Sequence, residues 1–239
     1  MKILEASDYA DLSRKAADIL LAQLRGKPDS LLVLPTGNTP LGLFRELVRA
    51  ARSGAADFAR VRFVTLDEYA GIAGNDRRRL LLWLRKELLD PIGVADDSVL
   101  AFDPLADATS EVERIEAGIA EYGGVDLAVV GLGPNGHLGF NEPGSPFDSR
   151  ARQVPLTPES IRSNAAYWGS EADVPATAFT LGLGTLLASR KLVLIASGAA
   201  KRDILARTID GGISPEVPAT LLRRHPDSLA IADRAALGG

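Results

Sequence analysis

Cysteine is absent from all 239 residues, which excludes disulfides, thiolate metal ligands and cysteine nucleophiles together. Histidine is nearly as scarce. Of the two in the chain, His137 lies in a glycine-rich loop, and His225 lies in the turn RRHPD, where a surface or packing role is expected. A basic excess is also missing: 27 Lys and Arg against 31 Asp and Glu give a formal net charge of −4. That sign is wrong for gripping a phosphate backbone, so no nucleic acid is expected as a partner. The N-terminal MKILEASDYADLSRK has no apolar run of signal-peptide length, and no stretch is long enough to span a membrane. A cytoplasmic protein with no membrane partner is the expectation. Repeats, low-complexity tracts and linkers are lacking too. With 46% hydrophobic and 24% charged residues, the composition is that of a globular protein with a large core, read as a single domain over 1–239.

What is present is an alternation of strands and helices. Lys2 to Ala6 reads as a strand, and Asp8 to Gln23 carries Leu12, Ala16, Ile19 and Leu20 at helical spacing. The apolar LLVL of Leu31 to Leu34 runs into PTGNTP and a helix, with Thr39 as expected N-cap and Pro40 at the first helical position. Strand, glycine-containing loop and helix start together offer amides and a positive dipole end to an anion, although the Walker spacing is absent. Val61 to Thr65 is a strand that places Asp67 and Glu68 at its carboxyl end. Asp76 to Leu89 is expected to be helical, with Arg77, Arg78 and Arg79 as a solvated end. Ser110 and Glu113 have capping-box spacing ahead of another helix. Phe179 to Leu183, Lys191 to Ala196 and Ser228 to Ala232 read as further strands, and PATLLRRH as a short helix. After Lys191 to Ala196 comes a second strand–glycine–helix turn, SGAAK, with Lys201 in the helix's first turn. A cation there opposes the helix dipole, and a bound anion would account for it. Strict alternation of this kind predicts a mostly parallel sheet with helices on both faces.

The densest chemistry follows the strand at Leu127 to Val130, in VDLAVVGLGPNGHLGFNEP. Gly131, Gly133 and Gly136 satisfy G-x-G-x-x-G, but a dinucleotide fingerprint must open a helix. Here Asn141-Glu142-Pro143-Gly144 stops one, so the glycines are read as letting the backbone bend and approach a ligand. One histidine and scattered carboxylates lack metal-ligand spacing. Histidine with Glu and Asn nearby suits proton transfer, because imidazole titrates near neutrality and a carboxylate fixes its tautomer. Pro143 to Val174 shows no strong periodicity, which in a compact domain marks a lid or binding loop.

GLGPNGHLGFNEPGSPFDSR, TLDEYAG, PTGNTPLGLF and the SG-x-x-K turn, in this order, resemble the glucosamine-6-phosphate deaminase (isomerase) family, related to 6-phosphogluconolactonase. The resemblance implies a Rossmann-like three-layer α/β/α domain with an active-site lid at roughly 143–174, acting without cofactor or metal as a monomer or small homo-oligomer. It implies conversion of glucosamine 6-phosphate and water to fructose 6-phosphate and ammonia. Asp67 would be the carboxylate base of enolisation, and His137, supported by Glu142 and Asn135, would open the sugar ring. Thr36, Gly37, Asn38 and Thr39 with Lys201 would hold the phosphate. The chain departs from the family where Asn135 replaces a frequent Asp, where Asp76 to Leu80 replaces a His-Pro-x-Ser-Tyr segment, and where Ala166 replaces a lid arginine. Arg162 or the Arg77 to Arg79 run is the expected substitute. Family members under allosteric control tend to be longer, so hyperbolic kinetics are expected. Lactone hydrolysis and a non-catalytic sugar-phosphate sensor are the competing readings.

Overall fold

In the computed structural model, which describes residues 1–239, seven strands form one all-parallel sheet in the order β1-β10-β9-β6-β2-β3-β5. In chain order the elements begin with β1 (Lys2–Ala6), α1 (Tyr9–Gly26), β2 (Leu31–Leu34), α2 (Leu41–Arg52), β3 (Arg62–Thr65) and β4 (Asp67–Tyr69). They continue with α3 (Leu80–Leu84), β5 (Val99–Leu100), α4 (Ala108–Glu121), β6 (Leu127–Gly131), β7 (Arg152–Pro155) and α5 (Pro158–Trp168). The last are β8 (Thr177–Thr180), α6 (Leu183–Leu187), β9 (Lys191–Ala196), α7 (Arg202–Asp210), β10 (Ser228–Asp233) and α8 (Arg234–Leu237). The expected parallel sheet and three layers are therefore present, and no helix is long and apolar enough to cross a membrane.

The central strands are apolar on both sides because both sides are covered. Along β6, Leu127 and Val129 pack with residues of α1 and α2 such as Leu12, Leu20, Leu43 and Leu47. Ala128 and Val130 pack on the opposite face with Ile115, Ile119, Ile204 and Leu205 of α4 and α7. The chain builds outward one way through β2, β3 and β5, and the other way through β6, β9 and β10. The loops leaving β2 and β6 therefore diverge, and a crevice opens at their carboxyl ends, where open α/β sheets bind ligands.

A second sheet, antiparallel and of three strands, has the order β4-β8-β7, and the sequence did not announce it. Asp67 and Glu68 lie in β4 of this sheet rather than in a loop after β3. The 143–174 segment, read as lacking clear elements, contains β7 and the 11-residue α5. Only Ser160 and Trp168 of α5 are buried, so it carries no apolar stripe for periodicity to find. Its start signal was legible, with Thr157 accepting from the Ser160 amide and Pro158 in the first turn. His225 is a packing residue: its imidazole is buried and bonded to the Ser189 carbonyl and the Asp227 amide.

Three expectations about helix ends are corrected. α2 starts at Leu41 with Pro40 at the cap and no side-chain cap from Thr39; the Tyr9 hydroxyl accepts the Gly42 amide instead. α4 is capped by Asp107, which accepts from Thr109 and Ser110, so the helix begins ahead of the Ser110 box. The helix expected from Asp76 begins only at Leu80, then widens to a π-helical turn over Arg85–Leu89.

The reason for the late start is Glu68. Its carboxylate is fully buried and accepts from the amides of Leu80 and Leu81 and from Arg79 Nε at 3.1 Å, capping α3 from another element. Arg79 is no solvated end, since its remaining donors reach the carbonyls of Gly74 and Phe102. Burial drives the Glu68 carboxyl upward, and the Leu80, Arg79 and Leu81 contacts counter it in part. Replacing Arg79 would strand this charge. Arg79→Ala should cost about 3–5 kcal/mol in urea unfolding, the scale of one partner lost from a buried pair. Arg77→Ala, at an exposed position with no ion pair, should stay within about 0.5 kcal/mol of the parent.

Candidate active site

The crevice between β2 and β6 is a cleft of about 280 Å³. Thr36, Gly37, Asn38, Thr39, Asp67, His137 and Lys201 all line it, so seven of the nine residues singled out from the sequence share one wall. Asn135 and Glu142 do not line it; they stand behind His137.

The loop after β2 presents its backbone. Gly37 has a φ of 97°, a turn that favours glycine. None of the amides of Thr36, Gly37, Asn38 and Thr39 donates to another protein group. A run of unpaired amides beside a helix start is an arrangement able to cradle an anion. Lys201 enters from the opposite side, after β9, and its ammonium donates to the Leu132 carbonyl at 2.7 Å. Burial pulls its pKa below the ordinary lysine value. Lys201 is the only lysine or arginine on the cleft wall. Arg162 is exposed on α5 and does not reach the wall. Arg78 is held by Asp76 through two bonds and lies 4.2 Å over the Trp168 ring. Neither expected substitute for the lid arginine thus stands in the cleft.

Beyond β6 the loop doubles back on itself. The Gly133 amide donates to the His137 carbonyl at 3.0 Å, and the imidazole lies flat against Gly133. A Cβ at that glycine would fall 2.2 Å from the ring, so only glycine admits His137 in this place. His137 Nδ1 is 3.4 Å from Glu142 Oε2, long for a hydrogen bond and better described as a charge contact when the ring is protonated. Asn135 ties the group together: its amide nitrogen donates to Glu142 Oε2 at 2.8 Å, and its oxygen accepts from the His137 amide. Ser160 of α5 donates to the other Glu142 oxygen. Burial opposes the ionised form of Glu142, but the contacts to His137, Ser160 and Asn135 outweigh it and hold the carboxyl at about 2. Asn141 has a structural part, bonded to the Leu138 and Leu181 carbonyls and accepting from Arg152.

Asp67 is the opposite case. Its Oδ1 is buried without a hydrogen-bond partner. Burial, with a smaller push from the Glu68 charge, raises its carboxyl to about 7. A carboxylate poised near neutrality beside an imidazole–carboxylate pair is suited to moving protons at pH 7.

Ser160, Ser163 and Asn164 of α5, together with Tyr69, also face the cleft and were not singled out from the sequence. The three α5 residues have i, i+3, i+4 spacing, so a polar stripe on a helix capped by Thr157 was the available signal.

Over residues 6–231 the chain matches the family model described as glucosamine-6-phosphate isomerases/6-phosphogluconolactonase. A glucosamine-6-phosphate deaminase of Geobacillus sp. (strain WCH70) is 39% identical over 238 residues, covering 99% of this chain and 95% of that protein. The solved structure of a monomeric glucosamine-6-phosphate deaminase superposes with a TM-score of 0.96 at 34% identity, covering 100% of this chain and 99% of the other. The 6-phosphogluconolactonase of Trypanosoma brucei, at 17% identity, a TM-score of 0.75, and 99% and 97% coverage, shares the fold. The chain belongs to the glucosamine-6-phosphate isomerase/6-phosphogluconolactonase family.

Proposed function

We propose that this protein is a glucosamine-6-phosphate deaminase, acting on its substrate as a cytoplasmic monomer in amino-sugar breakdown. The observation that carries the reading is the pairing, in one cleft, of a buried unpartnered carboxyl at Asp67 with an imidazole backed by an ionised carboxylate at Glu142. Relatives named as such deaminases, one of them described as monomeric, support it.

The chemistry needs two separate proton movements. Opening the pyranose ring takes the proton from the anomeric hydroxyl and delivers one to the ring oxygen. His137 can shuttle it, because Glu142 stays ionised and stabilises the imidazolium that forms. The open-chain aldehyde then loses its carbon 2 proton to Asp67, and the same group returns a proton to carbon 1. The imine left at carbon 2 adds water and expels ammonia, giving fructose 6-phosphate. One water is consumed and one ammonia released. The cradle at Thr36 to Thr39 and Lys201 hold the phosphate throughout. Lactone hydrolysis requires no carbon acid to be deprotonated, so it leaves the raised Asp67 carboxyl without a task.

Asp67→Asn should bind substrate but lose roughly 10²–10⁴-fold in turnover, read from ammonia release on glucosamine 6-phosphate. Near-normal turnover would exclude Asp67 as the base. For the parent, kcat/KM should fall as the pH drops through about 7, where Asp67 takes up a proton. The linked stability has a definite sign. With a folded pKa near 7 against an ordinary value of 3.8, the Asp67 contribution is fully present below the unfolded value and is lost as the pH rises through 7. Asp67→Asn should therefore melt higher than the parent at pH 8, and this advantage should vanish by about pH 4.

Gly133→Ala tests the histidine independently. The backbone φ of Gly133 is not positive, so alanine brings no backbone strain, and the atoms it meets belong to a side chain able to swing away. The fold should survive with a change of about 1 kcal/mol, while turnover falls by roughly 10²-fold or more as the ring is displaced. Retained turnover would show that the ring's seat against Gly133 does not matter.

A further inference from the structure

A depression of about 400 Å³ lined by Tyr9, Asn38, Thr39, Leu41, Arg45 and Ser197 shares Asn38 and Thr39 with the substrate cleft. The loop thus borders two hollows, and the hydroxyl of Tyr9, in the first turn of α1 and not on the cleft wall, contacts it. Tyr9 Oη lies 3.2 Å from the Asn38 carbonyl oxygen, 3.1 Å from that of Thr39 and 2.8 Å from the Gly42 amide nitrogen. A phenol carries one proton and accepts through its oxygen lone pairs. Here the proton is shared between two carbonyls while the oxygen accepts the Gly42 amide.

The consequence follows from peptide geometry. In a planar trans peptide the C=O and the following N–H point to opposite sides. Holding the Asn38 carbonyl toward α1 turns the Thr39 N–H away from α1. The same hydroxyl satisfies an otherwise orphan amide at the start of α2, which has no side-chain cap of its own. The approach is close because position 42 is glycine. A Cβ there would lie 2.0 Å from Ser13 Oγ and 3.1 Å from the Tyr9 ring.

We propose that Tyr9 is a positioning residue for anion binding. By holding the Asn38 carbonyl toward α1, its hydroxyl keeps the Thr39 amide aimed at the phosphate of the substrate, and its bonds to the Thr39 carbonyl and the Gly42 amide fix the end of the Thr36 to Thr39 loop. The inference rests on the reading of that loop as the phosphate site, and extends it to a residue in a different element that does not line the cleft.

The test uses Tyr9→Phe, which keeps the ring and removes only the hydroxyl, with inorganic phosphate as the probe. Phosphate affinity is measured calorimetrically, KM and kcat on glucosamine 6-phosphate, and stability by urea unfolding. Ser13→Ala is the control, because Ser13 Oγ donates to the Tyr9 carbonyl at 2.7 Å and loosens the same turn without touching the loop. In Tyr9→Phe the phosphate Kd and the KM should rise together by roughly 3- to 10-fold, the scale of one neutral hydrogen bond. The kcat should stay within about twofold, as expected when binding is lost equally from ground and transition states. Ser13→Ala should lose stability and keep the parent's phosphate Kd. Unchanged phosphate affinity in Tyr9→Phe overturns the proposal, as does equal weakening in Ser13→Ala or failure of the parent to bind phosphate. Because phosphate binding is read without turnover, weakened binding in Tyr9→Phe upholds the role of Tyr9 even if the parent releases no ammonia; that result would remove the deaminase reading alone.

Discussion

Backbone amides in a folded chain must find acceptors, and the four from Thr36 to Thr39 find none within the protein. The rest of the cleft follows from that constraint. The sheet reverses its direction of growth between β2 and β6, so no neighbouring strand covers the end of β2. Gly37 turns the chain in a conformation that other residues rarely adopt. Unpaired amides cost free energy unless water or an anion satisfies them, and a phosphate dianion does so with the helix dipole in its favour. Lys201 and His137 arrive on the loops of the neighbouring strands β9 and β6, which brings charge and proton transfer to the same end of the sheet.

The two carboxylates nearest the chemistry are pushed in opposite directions by their surroundings. Glu142 has three polar neighbours, His137, Asn135 and Ser160, and stays ionised down to about 2. Asp67 has an unpartnered buried oxygen and the Glu68 charge beside it, and is held near 7. Residues whose environments separate their pKa values in this way divide the labour of acid–base chemistry. The separation rests mainly on the burial of Asp67, and Glu68 adds a smaller push in the same direction. Arg79 and the first amides of α3 take up its charge, so the pair that anchors α3 also limits how far Glu68 disturbs Asp67.

The parallel sheet was legible because its strands are buried on both faces and read as short apolar runs, as in LLVL and LAVV. The cleft was legible because glycine, proline and polar residues interrupt those runs at the carboxyl ends. The antiparallel sheet was not. β4 has three residues and β7 four, too short to show a period of two, and the partners of β8 lie far away in sequence. Arg79 was misread for a related reason. Three adjacent arginines look alike in sequence, and only the buried Glu68, eleven positions earlier, distinguishes the third from its exposed neighbour Arg77. Tyr9 lacked any local signal, because its contacts are with residues about thirty positions away.

The lack of any arginine on the cleft wall shifts weight onto the backbone. Arg162 is exposed and off the wall, Arg78 is bonded to Asp76, and Arg79 to Glu68. Lys201 is left as the one full cation facing the cleft, partly committed to the Leu132 carbonyl and with burial opposing its charge. A guanidinium on a mobile side chain follows its anion over some distance and binds it through paired donors. Amides fixed in a loop cannot follow; they act only where the backbone aims them. On the proposed reading, anion recognition depends on the shape of the loop, to which the φ of Gly37, the bare Cα of Gly42 and the contacts of the Tyr9 hydroxyl all contribute.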